Sequence, residues 1–596
     1  MLRRPATLLI ACLLLMLPTL PAAAADFSPG CSDGVGDAAA LQTAVTTANG
    51  NEAADTITLA AGCTYTLTST LTVNADGGRQ LTINGNGATI SGNNARRVLS
   101  IAPAVVVLNG VTISGGNAGS GDGGGIYNGG TLTISNSTIS SNSANRGGGI
   151  FNDGGATLII TNSTLSSNNA TFSGGGIDNR ATLTISNSTI SGNSATNGFG
   201  GGISNDVGAT LTITNSTLSG NSTSNAGGGI GNFGTLTISN STISGNNARS
   251  GGGGIYNART LTISNSTLSG NTSTTGSGGG IYNAGTLTIS NSTISSNSAT
   301  NGGGIFNVNF GTLTIGNSTL SGNSAIIFGG LGGGIYNDGT LTLNNSIVAN
   351  STSGGDCDRP FGTINASHSL IEGGLTCVNG TSTNNITGDP ALDANLRLQA
   401  GSPAIDAGDN GLIPSGITLD LAGNMRIAND TVDMGAYEFG SVLPSTPAPT
   451  GTPPPTLTLA SAATALADNL SVQTGGAITS GSGLNIVSRD GRIGNLYVRV
   501  LALSGAYVTP NAPAEIGIQR LLDLGIFHAV NLYGLLQDGT AANTFSQPVE
   551  ICLRGTGEVL FVAASDTTRT PVRLASVDRG GYACVLLPSA GLLVMV

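Results

Sequence analysis

The chain has 596 residues, 94 of them glycine and none tryptophan, and a formal net charge of −11 carried without a single lysine. An acidic chain whose only cations are 20 scattered arginines has no basic patch, which argues against nucleic acid and against anionic membrane surfaces as partners. At this length one ordinary core is excluded, but a stacked repeat grows without that limit.

The N-terminus reads as an export signal. Arg3 and Arg4 precede an apolar run from Leu8 to Leu17, and Ala22-Ala23-Ala24-Ala25 precedes Asp26, so residues 1–25 are expected to be removed. Leu9-Ile10-Ala11-Cys12 also resembles a lipobox, but cutting there would leave an apolar stretch of only about five residues, shorter than the usual h-region. Cleavage near Ala25 leaves 18 arginines against 31 acids, a charge of −13, and no transmembrane segment in the mature chain. Six cysteines then remain in three local pairs, Cys31 with Cys63, Cys357 with Cys377 and Cys552 with Cys584. An exported chain with an even count is expected to form disulfides from them. None has the Cys-x-x-Cys spacing of a zinc or redox site, so neither metal nor cofactor is expected.

Residues 26–110 are read as an N-terminal cap and irregular first coils. Within them Asp37 to Ala48 has helical composition, with apolar spacing at Leu41, Val45 and Ala48, suited to plugging the end of a solenoid. Residues 111–350 carry regular repeats. The Ile of Gly-Gly-Gly-Ile-(Tyr/Phe)-Asn recurs at Ile126, Ile150, Ile177, Ile203, Ile230, Ile255, Ile281, Ile305 and Ile335, a period near 26. Each repeat holds three short segments in which apolar residues alternate with Thr or Ser, the period of half-buried strands. Three strands and three corners per turn describe an all-β parallel β-helix, with coils ~4.8 Å apart.

Each segment ends in Asn, giving three columns that begin at Asn128, Asn136 and Asn142 and end at Asn337, Asn345 and Asn350. Asn tolerates the left-handed backbone of a sharp corner, and its amide can link one coil to the next. The Asn-Ser-Thr triplets of the second column also match glycosylation acceptors, although the corner and the strand already account for those residues.

Residues 351–440 end the solenoid. They contain Gly388-Asp389-Pro390, Leu396-Arg397-Leu398, Gly401-Ser402-Pro403-Ala404-Ile405-Asp406, Asp420-Leu421-Ala422-Gly423-Asn424-Met425-Arg426 and Asp433-Met434-Gly435-Ala436-Tyr437-Glu438-Phe439. This block resembles the C-terminal signature of the choice-of-anchor Q family, exported bacterial proteins with a right-handed parallel β-helix of pectin-lyase-like fold. The resemblance covers about fifty residues and implies that a variable surface-attachment module follows. The repeats are also similar to those of polymorphic outer-membrane proteins. Residues 441–456 are a Pro/Thr/Ser linker. Residues 457–596, with runs such as Tyr497-Val498-Arg499-Val500, are expected to form a separate antiparallel β-sandwich. Leu587-Pro588-Ser589-Ala590-Gly591 superficially resembles a sortase signal, but the tail after it is too short and lacks a basic end.

Two places on the repeats carry candidate chemistry. The residue after each first-column Asn places Asp153, Arg180 and Asp206 in consecutive coils, with Asp178 nearby. A glycosidase pair is one reading. The other is an ionic ladder, since Asp153 and Asp206 two coils apart, ~9.6 Å, lie beyond the ~5–5.5 Å of a retaining pair and just beyond the ~6.5–9.5 Å of an inverting one. The ladder is the reading taken, and no catalytic residue is assigned. His368 and the aspartates Asp420 and Asp433 are read as structural. The residue after each repeat Ile places Tyr256, Tyr282, Phe306 and Tyr336 on one outward face, as mutual shielding or as a platform for sugar rings. The expectation is a secreted or cell-surface, adhesin-like protein that presents an elongated surface to extracellular or envelope polysaccharide. The competing class is a polysaccharide lyase or glycoside hydrolase.

Overall fold

The computed structural model describes residues 24–50, 53–75, 77–326 and 329–441, and the backbone of ten strands between Leu484 and Met595. Most of the expected export signal and most of the expected linker lie outside the described residues. The chain divides into two units, residues 1–443 and 444–596.

The first unit is a parallel β-helix. Each coil begins with a three-residue strand such as Ile126–Asn128 (sheet C). A five-residue strand follows, such as Thr131–Ser135 (sheet A), and then a second three-residue strand such as Thr138–Ser140 (sheet B). Sheets A and B each contain 15 strands and sheet C contains 12. Eight coils add a two-residue strand after sheet B, such as Ser143–Ala144, which forms sheet D. The three strands anticipated per coil are therefore present, with a short fourth that the sequence reading did not separate from the corner.

Side chains alternate as period two requires. In Thr131–Ser135, Leu132 and Ile134 are fully buried while the three hydroxyl residues face outward. One continuous core runs from Leu41 to Cys377. Each buried Ile or Leu contributes about 1.5–3 kcal/mol. The glycine triplets allow the coils to approach. Gly147 has φ +57°, and a Cβ on Gly149 would meet the Gly176 carbonyl oxygen at 2.6 Å and the Asn168 amide carbon at 3.1 Å.

The asparagine columns divide two tasks that the sequence reading gave to all three. The first column forms an amide ladder from Asn128 to Asn337, each Nδ2 donating to the next Oδ1 at 2.7–2.8 Å. The third column does the same from Asn142 to Asn323 at 2.9–3.0 Å. Neither ladder is left-handed. The second column supplies the left-handed corners instead, with φ between 45° and 50° from Asn136 to Asn345. His368 takes that same corner in the last coil, with φ 47°. Beside it lies a buried serine ladder that sequence reading missed. Ser137 N donates to Ser163 Oγ at 3.1 Å while Ser137 Oγ donates to the Ser135 carbonyl at 2.7 Å, and the pattern repeats to Ser346. The Asn-Ser-Thr triplet is thus corner, ladder and outward strand residue in turn.

Both ends are closed. Helix α1 (Ala38–Ala48) is capped by Asp37, which accepts from Ala40 N. Its buried Leu41, Ala44, Val45 and Ala48 face the first coil, and it touches a strand of each of sheets A, B and C. The disulfides Cys31–Cys63 and Cys357–Cys377 form at the two ends, closing loops of 32 and 20 residues. Each contributes about 3–4 kcal/mol by restricting the unfolded chain.

Residues 388–441 run back over the corner between sheets A and B. Asp409 N donates to Asn345 Oδ1 at 2.9 Å and Asn345 Nδ2 returns a bond to the Asp409 carbonyl at 2.8 Å. Asn291 Nδ2 donates to the Leu419 carbonyl at 3.1 Å. Beneath this strap the outward positions of sheet B change from Thr319 and Ser321 to Ile347 and Ala349. They pack with Leu370, Leu398, Ala404 and Met434 into a second small core.

The second unit contains antiparallel strands in two sheets, one of four strands and one built on five with a sixth strand paired at its side. Cys552 and Cys584 are directly opposed in neighbouring strands, in the place the expected third disulfide requires.

Candidate functional site

The outer face of sheet C carries the concentrated aromatic and ionic chemistry of the solenoid. The side chain after each repeat Ile points outward, so one residue type per coil stacks along the axis, held in register without slip from Tyr127 to Tyr336. Two aromatic stacks result, with a polar gap between them.

The longer stack is the expected one. Tyr256, Tyr282, Phe306 and Tyr336 are half-buried, with centroids 5.2, 5.3 and 4.6 Å apart and planes within 16°. Offset stacking of this kind is worth ~0.5–1.5 kcal/mol per pair. It covers part of each ring face and leaves each residue half-buried. Burial pushes the Tyr256, Tyr282 and Tyr336 hydroxyls up in pKa, so they remain donors at neutral pH. Phe199 and Phe233, which sequence reading missed, close this stack against Tyr256, at 5.4 and 5.7 Å. The signal for them is Gly231. It interrupts the aromatic column because a Cβ there would meet Phe199 Cβ at 2.8 Å.

The shorter stack is Tyr127 on Phe151, centroids 5.4 Å apart, with Arg97 over Tyr127 at 5.1 Å and Arg180 over Phe151 at 4.7 Å. Arg97 had no role in the sequence reading. It is oriented by bonds to the Asp122 and Gly123 carbonyls.

Arg180 also borders the polar gap. Its Nε lies 3.4 Å from Asp178 Oδ1 and 3.6 Å from Asp206 Oδ2. The ionic ladder anticipated from the sequence therefore exists with one member changed. Arg180 joins Asp178 and Asp206, whereas Asp153 accepts a hydrogen bond from the Tyr127 hydroxyl. Asp178 has a side chain only 4% exposed, against 47% for Asp206. Burial pushes the Asp178 carboxyl up to about 7, a rise that Arg180 opposes and the Asp206 carboxylate reinforces. The two carboxylates share one guanidinium nitrogen, so their bridging oxygens lie within about 7 Å of each other. A carboxyl that titrates near neutrality beside an exposed carboxylate has the asymmetry that acid–base chemistry uses.

Residues 174–353 match the family model described as "Right handed beta helix region". The solenoid is a right-handed parallel β-helix. No curated protein matches the chain. Solved structures similar to it include the crystal structure of pectate lyase Pel9A, at 17% identity and TM-score 0.30, covering 70% of this chain and 96% of that one. Another is a mannuronic acid specific polysaccharide family 6 lyase from human gut microbiota, at 12% identity and TM-score 0.30, covering 62% of this chain and 88% of that one. At such values neither carries an argument about activity.

The remaining residues singled out in the sequence have structural surroundings. Asp420 accepts main-chain bonds from Ala422, Asn424 and Glu438. Asp433 accepts from Asp406 and Phe439. Arg426 is 1% exposed and donates to the Asp433 and Gly435 carbonyls at 3.0 and 2.7 Å, with Glu438 at 3.9 Å. His368 bonds Ser367 and Asn384. Among the described residues no helix is long and apolar enough to cross a membrane.

Proposed function

We propose that this protein is an exported, adhesin-like β-helix that binds extracellular or envelope polysaccharide along the outer face of sheet C. The observation that carries this reading is the row Tyr256, Tyr282, Phe306 and Tyr336, half-buried, one ring per coil, with protonated phenol hydroxyls at its edge. A row with the coil period suits a polymer lying along the axis: apolar sugar faces meet ring edges, and sugar hydroxyls accept from tyrosine. The resemblance of residues 388–439 to the choice-of-anchor Q signature supports display at a cell surface, with residues 457–596 in the place of an attachment module.

A glycan-array screen of the full chain tests it. The wild type should retain an extended glycan, and changing Tyr256, Tyr282 and Phe306 together to Ala should lower that affinity at least tenfold with the coil fold intact by circular dichroism. Undiminished binding by the triple variant would discard the platform.

Asp178 favours a second reading, a polysaccharide-cleaving enzyme in which Asp178 supplies or accepts the proton and Arg180 orients the sugar acid or ring. Turnover of an acidic or neutral glycan, abolished by Asp178→Asn, would decide for it. Binding without turnover would decide against it.

A further inference from the structure

The outer face of sheet A is a second surface, with threonine where sheet C carries aromatic and ionic groups. Its central strands follow Thr-x-Thr-x-(Ser/Thr), with the two apolar residues buried and the hydroxyl residues outward. Nine strands from Thr131–Ser135 to Thr340–Asn344, six of them with this full pattern, pair in parallel with no register slip. Two columns of outward threonine result, one unbroken from Thr131 to Thr340 and one from Thr133 to Thr342, with Ile159 its single exception.

Three properties make these columns a lattice. Their spacing is set by the backbone, ~4.8 Å between strands and ~6.6 Å between alternate residues of one strand, over roughly 38 Å of axis. The asparagine and serine ladders at the corners on either side link identical residues coil to coil, the kind of side-chain ladder that accompanies flat sheets. No outward position of these nine strands is charged. The hydroxyls of the two threonine columns make no hydrogen bond to the protein among the described residues, so each is left to water. The neighbouring sheet B offers no comparable free surface, because Thr293 and Thr319 are buried at its C-terminal coils, where the strap runs.

We infer that the threonine face of sheet A binds ice. Its inter-strand repeat lies close to the shorter oxygen repeat on a prism face of ordinary ice, and the second column adds a parallel row of hydroxyls. Methyl groups confine the intervening water while hydroxyls hold it at lattice positions. Charged groups would keep a tight disordered shell, and they are missing. Each contact is weak, but nine coils in register add them along one direction. This inference is independent of the polysaccharide reading and uses a different face.

The test uses the purified full chain with ice as the probe, by thermal hysteresis, crystal shape and recrystallisation inhibition. Wild-type protein should facet growing crystals and slow recrystallisation. Thr237→Lys, at the centre of the lattice, should lower that activity at least fivefold, and Thr262→Leu should lower it comparably without adding charge. Asn247→Lys lies on sheet D of the same coil as Thr237 and should leave activity unchanged, as should the triple aromatic variant. Growth of ordinary round crystals with wild-type protein would overturn the inference. So would equal loss in the sheet D control, or adsorption to crystalline chitin or cellulose that Thr237→Lys removes while ice growth is never altered.

Discussion

Within one coil, amide side chains do structural work that hydrophobic residues cannot. Asn205 is fully buried, accepts from Asn179 at 2.8 Å, and donates to Asn232 at 2.8 Å and to the Thr235 carbonyl at 3.2 Å. Asn205→Ala removes three hydrogen bonds, two of them between fully buried amides, and should cost about 2–4 kcal/mol. Solenoid stability is largely a sum of neighbouring coils, so the loss should register as faster hydrogen exchange in strands Ile203–Asn205 and Ile230–Asn232 before any global change. Uniform exchange along the solenoid would contradict a local role. Column composition alone could not separate this amide from Asn215, whose task is a backbone angle of 50°. Both read as Asn at a strand end; only the φ values and the paired amides tell them apart.

Among the elements, the strap of residues 388–441 depends on Arg426. Its guanidinium holds two carbonyls of the strap, and Asn291 Oδ1 of the solenoid lies 3.4 Å from Nη1. Removing one partner of a buried ion pair costs about 3–5 kcal/mol. Arg426→Met should therefore expose the strap to limited proteolysis between residues 388 and 441 while the coils before Asn240 stay resistant. Resistance of the strap in that variant would show that the apolar contacts of Met434 and Leu398 suffice. A second element-level expectation concerns the opposed strands of the second unit. Mass mapping of non-reduced peptides should find Cys552 linked to Cys584, beside the two bridges at the solenoid ends. Free thiols there would refute the pairing. The strap had a visible trace in the sequence, the change from Ser-Thr-Ile-Ser to Ser-Ile-Val-Ala at 346–349, where apolar residues take outward positions.

Across the whole molecule, the buried carboxyls set a pH dependence. Asp178 and Glu438 are both pushed up to about 7, chiefly by burial. A carboxyl whose folded pKa exceeds its unfolded value near 4 binds more protons in the native state between those limits. Stability is therefore greatest below about pH 4 as far as these two groups act, falls as pH rises toward 7, and levels off above it. Thermal unfolding should show this decline, and Glu438→Gln together with Asp178→Asn should flatten it. A melting temperature that rose from pH 5 to 7 through these two groups would contradict the burial of both.

The sequence by itself determined the coil. Period-two alternation inside a period near 26 admits one arrangement, and every repeat Ile from Ile126 to Ile335 is buried where that arrangement puts it. It also determined the aromatic row, because stacking coils in register necessarily superposes Tyr256, Tyr282, Phe306 and Tyr336. Tertiary structure alone decided what depends on direction and competition between neighbours. Asp153 could have met Arg180 or Tyr127, and the hydroxyl one coil away won. Asp178 could have been exposed, and the surrounding side chains buried it. Column position is a consequence of chain periodicity, but partner choice and desolvation belong to side chains from several coils at once, and no single repeat contains that information.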